Sequence, residues 1–330
     1  MKLITLEEHY LDLAVVRASA AASAQLSPHF SATYDPKRGA PYSPAADVLI
    51  DLDEGRLADM DRNGIDMQVL SCLTTQQLPS DVAAELVANT NDTLAAAVAR
   101  HPDRFAAFAS LPTSDPAAAA TELKRAVQEL GMVGTLIHGR TEGEFLSSPQ
   151  FEPILQTAAE LEVPLYLHPG IPPRATTASN YDGFDPFVST RLQTTAWGWH
   201  QETAVHFLHL VLSGVFDRFP KFQVILGHWG EMVPFFLERL DESLPQSVTG
   251  LERTFEEYMK QNVYITPSGM FNQAQLQFCV ETVGVDRIMY AVDYPFIGNG
   301  GAAAFLEAAK LSGAAREAIG HGNAERLFGL

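Results

Sequence analysis

The strongest constraint on the fold is an alternation. Eight short runs rich in β-branched, aromatic and leucine residues recur along the 330-residue chain, at 3–6, 67–71, 105–110, 133–138, 164–168, 223–227, 263–266 and 287–292. Most are separated by Ala-, Leu- and Glu-rich segments with helical spacing, at 81–100, 116–130, 151–161, 202–216, 231–244, 274–283 and 302–310. Parallel strands need long crossovers, normally helices, so this alternation predicts an α/β fold with a parallel sheet. Eight strands also suffice to close a (β/α)8 TIM barrel. An open doubly wound sheet would normally carry a Gly-rich turn after its first strand, and none follows 3–6. Ser80 is placed to cap the helix at 81–100, and Asp115-Pro116 opens the next, with Gly131 just beyond it. Two stretches, 25–44 and 170–199, carry Pro, Ser, Gly and Tyr without a period and read as inserted loops, which in compact domains are commonly functional. With no internal repeat and no linker, residues 1–330 are expected to form one domain.

Composition narrows the partners. Lys+Arg number 22 against 40 Asp+Glu, a net charge of -18, and 46% of residues are hydrophobic. Such a field repels nucleic acid and anionic membranes, and no basic patch with interleaved aromatics offsets it. It leaves room for an anionic substrate, because a metal reverses the sign locally. The two cysteines, Cys72 and Cys279, lie in no metal-type motif and read as buried small hydrophobes in a reducing compartment. No signal-type start or bilayer-length apolar run is present, so the expected location is cytoplasmic.

The chemistry sits at strand ends. The first run ends in Glu7-Glu8-His9, and side-chain alternation puts Glu7 and His9 on one face with Glu8 opposite. The fifth ends Leu167-His168-Pro169, the sixth Gly227-His228-Trp229-Gly230-Glu231, and the eighth Val292-Asp293-Tyr294-Pro295-Phe296. In a barrel the C-terminal strand ends converge on one mouth, so Glu7, His9, His168, His228 and Asp293 can share a site despite their scatter. Imidazoles and carboxylates together suit a divalent ion such as Zn²⁺ or Mn²⁺. Each residue alone has a plainer reading: a lone strand-end histidine is usually structural, Asp293 can be a turn residue, and Glu231 can favour a helix start. Their shared position at the same end of each strand argues for the site. His138 ends the fourth run and reaches the mouth in a barrel, and His200 is placed to line the pocket. His206 and His209 read as ordinary helix residues, and His29, His101 and His321 as solvated.

These motifs resemble the amidohydrolase superfamily, in particular its branch of metal-dependent non-oxidative decarboxylases that includes γ-resorcylate and aminocarboxymuconate-semialdehyde decarboxylases. The resemblance also runs through Asn63-Gly64-Ile65-Asp66, His101-Pro102-Asp103-Arg104-Phe105, Gln201-Glu202-Thr203-Ala204 and Asn323-Ala324-Glu325-Arg326-Leu327-Phe328. It implies a distorted (β/α)8 barrel with one divalent ion held by Glu7, His9, His168 and Asp293. It further implies His228 beside the substrate with Glu231 supporting it, Asp293 as proton donor, Phe296 and Trp197 flanking the substrate ring, and Arg239 reaching a neighbouring subunit. A homo-oligomer, dimer or tetramer, follows from that last match. The chain departs from the pattern at His138, where dihydroxybenzoate-type members often carry Asn, and in both irregular stretches.

The implied reaction is loss of CO₂ from a hydroxylated benzoate, a small aromatic carboxylate. The same residues also suit metal-dependent hydrolysis of an ester, lactone or amide, with Asp293 as base. A metal-free binding protein on the same scaffold is the third reading, and it predicts no stoichiometric metal.

Overall fold

The computed structural model describes residues 1–30 and 44–330, so most of the 25–44 stretch lies outside the described residues. The predicted runs become strands β1 (Ile4–Tyr10), β2 (Met67–Cys72), β3 (Phe105–Ala107), β4 (Thr135–His138), β5 (Leu165–His168), β6 (Val224–Leu226), β7 (Val263–Ile265) and β8 (Tyr290–Ala291). They form two four-stranded sheets, ordered β3-β2-β1-β8 and β4-β5-β6-β7, and every pairing is parallel. Parallel bridges from Ala109 to Thr135 and from Ile265 to Ile288 join the sheets at both seams. The chain is a closed (β/α)8 barrel.

Alternation sorts the side chains into two cores. Ile4, Leu6, Met67, Val69, Ala106, Phe108, Leu136, Tyr166, Ile225, Tyr264, Met289 and Ala291 fill the barrel interior, with Ala324 packed among them and Phe328 against them. Their neighbours, among them Leu3, Leu70, Phe105, Ile137, Leu167, Leu226, Ile265 and Tyr290, face outward and pack under the helices. Continued by two residues, the inner rows of β4 and β5 reach His138 and His168.

β1 does not follow this rule to its end. Its register with β2 runs Ile4↔Met67 and Thr5↔Gln68, then Glu8↔Leu70 and His9↔Ser71. Leu6 and Glu7 together oppose Val69, a β-bulge, and Glu7 takes a left-handed φ of 63°. With Leu6 facing inward, strict alternation would send Glu8 into the mouth. The extra residue turns Glu7 and His9 there instead and sends Glu8 outward.

The expected irregular stretch at 170–199 is instead largely helical, with helices Arg174–Tyr181 and Pro186–Gln193. Asp185 caps the second, accepting the Phe187 N–H at 2.9 Å, and Pro186 occupies its first turn. The 202–216 segment starts earlier and ends earlier, as Gly198–Leu212. Ser80 is the first residue of the helix Ser80–Arg100, and Pro79 precedes it without a side-chain cap. The helix expected at 231–244 is split: His228–Glu231 forms a separate turn before Val233–Ser243.

Candidate active site at the barrel mouth

The strand ends bring Glu7, His9, His168 and Asp293 together, with one ligating atom of each within 4.8 Å of the others. Glu7 and His9 are fully buried, and Asp293 retains 19% side-chain exposure. Two imidazole–carboxylate pairs face each other, and in the first both facing atoms are acceptors. His168 Nδ1 donates to the Pro169 carbonyl at 2.7 Å, so its Nε2 carries the lone pair, and that lone pair faces Glu7 Oε1 at 3.1 Å. His9 Nε2 stands 3.1 Å from Asp293 Oδ1. Neither Glu7 Oε1 nor His9 Nε2 has a hydrogen-bond partner among the described residues. Buried polar atoms are normally paired, and lone pairs pointed at one another repel unless a proton or cation lies between them. The donor set of two carboxylates and two imidazoles therefore fits a divalent ion.

The surroundings hold these groups in place. Tyr166 and Ser268 hydroxyls donate to Glu7 Oε2, and Ser71 Oγ lies 3.1 Å from His9 Nδ1. Gly227 is required here: a Cβ would stand 2.8 Å from Ser268 Oγ and 3.0 Å from Glu7 Oε2. Burial raises the Asp293 pKa well above the usual carboxylate range, and the Glu7 charge adds to it. Burial raises Glu7 as well, but the charge of His228 works against it and the net shift is downward.

His228 lies beside this cluster, its Nε2 3.9 Å from Glu7 Oε1 and its Nδ1 2.8 Å from Glu231 Oε1. Glu231 Oε2 takes His200 Nδ1 at 2.8 Å. The run from His228 to Met232 lies entirely in the left-handed region, with φ from 48° to 78°. Four of those five residues carry a Cβ, at a cost of roughly 1–2 kcal/mol each. Such strain collects at functional sites, and here it stacks His228 over Glu231. Burial disfavours the imidazolium, but Glu231 and Glu7 outweigh it and raise the His228 pKa to about 10.

Of the other predicted residues, the Phe296 ring meets His9 edge-on at 5.7 Å, and the His138 ring lies 4.5 Å from that of His168. Trp197 is 46% exposed and makes no ring contact among the described residues. Arg239 is exposed and pairs with Glu242 at 2.6 Å, not with the cluster. His206 is buried and accepts the Leu146 N–H at 2.9 Å, while His101 pairs with Asp53 and His321 with Glu325. Cys72 and Cys279 are buried and free. Sequence reasoning missed Gln76, Tyr166 and Ser268. Tyr166 carried a usable signal, two residues before His168 on the inner row. Gln76 and Ser268 lie in turns that no periodicity marks.

The amidohydrolase family profile matches residues 25–330. The chain is 40% identical over 302 residues to the decarboxylase orsB of Emericella nidulans, covering 90% of this chain and 86% of the relative. It is 39% identical over 296 residues to a γ-resorcylate decarboxylase of Rhizobium radiobacter, covering 86% and 88%. Among solved structures, the dihydroxybenzoic acid decarboxylase of Polaromonas sp. JS666, with bound manganese and the inhibitor 2-nitroresorcinol, superposes with a TM-score of 0.86 at 34% identity, covering 100% of this chain and 97% of that one.

Proposed function

The chain belongs to the amidohydrolase family, and from that premise we propose that it is a metal-dependent carboxy-lyase removing CO₂ from a hydroxylated benzoate. The observation that carries this reading is the cluster in which Glu7 faces His168 and Asp293 faces His9, in a chain whose relatives at 39–40% identity are decarboxylases. Glu7, His9, His168 and Asp293 would hold one ion, Mn²⁺ or Zn²⁺. When bound, it supplies Lewis-acid attraction for the substrate carboxylate and the adjacent phenolic oxygen.

The chain's own groups do the rest. Asp293 would carry a proton and deliver it to the ring carbon bearing the carboxylate. The new C–H bond forms there, the C–C bond breaks, and its electron pair restores the aromatic ring as CO₂ departs. His228, held as an imidazolium by Glu231 and Glu7, balances the negative charge of the substrate. Phe296 covers the His9 side and excludes water. Trp197 and Arg239 belong to this reading only as outer groups, Arg239 reaching a second copy of the chain.

The homo-oligomer is supported by the helix that carries Arg239. It exposes Phe235 by 73% and Phe236 by 53%, and Phe235 lies 5.9 Å from the Phe278 ring on the helix Gln273–Thr282. No helix among the described residues is long and apolar enough to cross a membrane. The two free buried thiols fit a cytoplasmic location.

The deciding experiment incubates Mn²⁺-loaded protein with 2,6-dihydroxybenzoate and, separately, with aryl esters and lactones. CO₂ and resorcinol in equal amounts are expected from the first and no hydrolysis from the second. Ester or lactone hydrolysis without CO₂ release would replace this reading with a hydrolase. Decarboxylation at an undiminished rate in Asp293→Asn would remove Asp293 as the proton donor.

A further inference from the structure

Glu231 is fully buried, and both of its oxygens are engaged by imidazoles from different elements. Oε1 faces His228 Nδ1 at 2.8 Å, and Oε2 faces His200 Nδ1 at 2.8 Å. The two rings lie 4.4 Å apart at an interplanar angle of 60°. Burial works against charge on Glu231, but His228 and His200 outweigh it and hold the carboxyl below its usual range. His200 stands in the first turn of the helix Gly198–Leu212, and its Nε2 lies 3.1 Å from the Thr195 carbonyl oxygen. A carbonyl and an ionised carboxylate can only accept, so both His200 nitrogens are placed to donate.

The backbone that carries Glu231 is strained. His228, Trp229, Glu231 and Met232 all hold left-handed φ values, and such a run persists only where the surroundings over-determine it. Trp229 is fixed through its backbone N–H on the Thr266 carbonyl at 2.7 Å and its indole N–H on the Met270 carbonyl at 2.8 Å. At the Glu231 side chain the corresponding restraint is His200. The last torsion of a glutamate is soft. With one oxygen engaged, the carboxylate would be free to turn and to carry the His228 ring with it. With both engaged, its plane is set, and no buried charged oxygen is left without a donor.

We infer that His200 is a positioning residue: it holds the second oxygen of Glu231 so that the first keeps the His228 ring aimed at the cation cluster, and it ties that setting to the turn at Thr195. The inference rests on the carboxy-lyase reading for its chemistry and adds a residue that acts on the reaction only through others. His228 Nε2 stands 3.9 Å from Glu7 Oε1, so a small rotation of the ring changes where its N–H points within the mouth. Thr195 lies between the helices Pro186–Gln193 and Gly198–Leu212. A shift of that turn therefore reaches His228 through the chain of hydrogen bonds Thr195–His200–Glu231–His228.

Two substitutions separate the two His200 bonds. In His200→Asn the amide nitrogen falls where Nδ1 stood and still donates to Glu231, but nothing reaches the Thr195 carbonyl. In His200→Gln the amide nitrogen falls where Nε2 stood, and Glu231 Oε2 loses its donor. On Mn²⁺-loaded protein with 2,6-dihydroxybenzoate, His200→Ala and His200→Gln are expected to lower kcat about tenfold or more, with metal content unchanged. His200→Asn should recover kcat to within about threefold of the native value. NMR of ¹⁵N-histidine-labelled protein reads the positioning directly. The His228 Nδ1–H proton should resonate far downfield in the native chain and in His200→Asn, and should move upfield or broaden away in His200→Gln. A merely structural His200 would not separate those two variants. Native kcat in His200→Gln overturns the inference, as does equal loss in the Asn and Gln variants with the His228 signal unmoved. So does a second manganese ion per native chain that is lost in His200→Asn, which would put a cation where the N–H groups are assigned. If His200→Ala does not fold, the Asn and Gln pair carries the comparison. Absence of turnover in the native chain sinks the carboxy-lyase reading, and the His228 signal alone then decides the role of His200.

Discussion

Glu7 and Glu8 are neighbours on one strand, both fully buried, and they sit in opposite chemical worlds. On the outer side of β1, Glu8 accepts the Val292 N–H at 3.0 Å and the Tyr294 N–H at 3.1 Å. Beside it, buried Arg56 donates to the Asp51 carbonyl at 2.8 Å, to Gln68 Oε1 at 3.2 Å and to the His9 carbonyl at 2.6 Å, with its guanidinium 5.0 Å from the Tyr294 ring centroid. On the inner side, Glu7 Oε1 and His9 Nε2 have no partner among the described residues. Burial does not separate the two groups, but charge does: His228 works against burial and holds Glu7 below the usual carboxylate range, whereas burial pushes Glu8 up to about 8. The carboxylate contacts differ too: both Glu8 oxygens are paired and tie β1 to β8, although Gln68 Nε2 beside Arg56 has no partner among the described residues, whereas Glu7 Oε1 is left open toward His168.

The sharpest way to break that contrast is to neutralise each carboxylate in turn. Glu7→Gln removes a proposed ligand and should reduce metal content from about one ion per chain to a small fraction, with activity falling about a thousandfold or more. Its melting temperature without metal should fall, because the fold favours the ionised carboxylate beside His228 and the Tyr166 and Ser268 hydroxyls. Glu8→Gln should keep its metal by elemental analysis. Equal metal loss in both variants would show that the two sides of β1 are one network. Next in size is Arg56→Met, which strips the filled side of its cation. Breaking a buried charged network by removing one partner costs about 3–5 kcal/mol, read as a shift in the urea midpoint. The folded fraction should still bind manganese.

The barrel itself was legible, because eight apolar runs and helical crossovers are a periodic signal. So was the convergence of Glu7, His9, His168, His228 and Asp293, because a parallel barrel sends every strand's C-terminal end to one mouth. The reason Glu7 and His9 face that mouth was not legible. Alternation places those two on one face, but counted from Leu6, an interior residue, it assigns the mouth to Glu8. The bulge that reverses this rests on a left-handed φ at a glutamate, which no propensity announces. The left-handed run from His228 to Met232 was equally hidden, since only Gly230 there favours such a backbone. The helices within 170–199 were missed because Pro and Gly around short segments read as loop until the Asp185 cap is seen.

A third buried group tests whether an unpaired buried imidazole nitrogen marks function outside the mouth as well, since His206 Nδ1 has no partner among the described residues. His206 is fully buried outside the mouth; burial, and then the charge of Arg140, lower its pKa from 6.5 to about 3. The folded chain keeps the ring neutral while the unfolded chain protonates it below 6.5. Its contribution is therefore complete above that pH and is lost as the pH falls toward 3. At pH 5 the loss amounts to about 2 kcal/mol. His206→Gln keeps an acceptor for the Leu146 N–H and should flatten the fall in urea stability between pH 6.5 and 5 by that amount. Its kcat at neutral pH should stay within about threefold of the native value. A large kcat loss would place His206 in the same functional class as the mouth.

Trp197 gives the smallest expected effect and the finest cut. The family resemblance puts an aromatic ring against the substrate at this position, but the side chain stands exposed at the start of the helix Gly198–Leu212. Gly198 behind it is buried so tightly that a Cβ would lie 2.3 Å from the Gln193 carbonyl, which fixes the backbone turn at Trp197 and so the direction in which its side chain leaves. An exposed side chain without ring partners among the described residues contributes within about 0.5 kcal/mol to stability. Trp197→Ala should therefore leave the melting temperature unchanged and alter kcat/KM for a single chain by less than about threefold. Dilution below the association midpoint separates the remaining case. If Trp197→Ala loses more than about tenfold in kcat/KM only in the assembled protein, the ring completes a site in a partner copy, and the unfilled region of β1 extends across the interface.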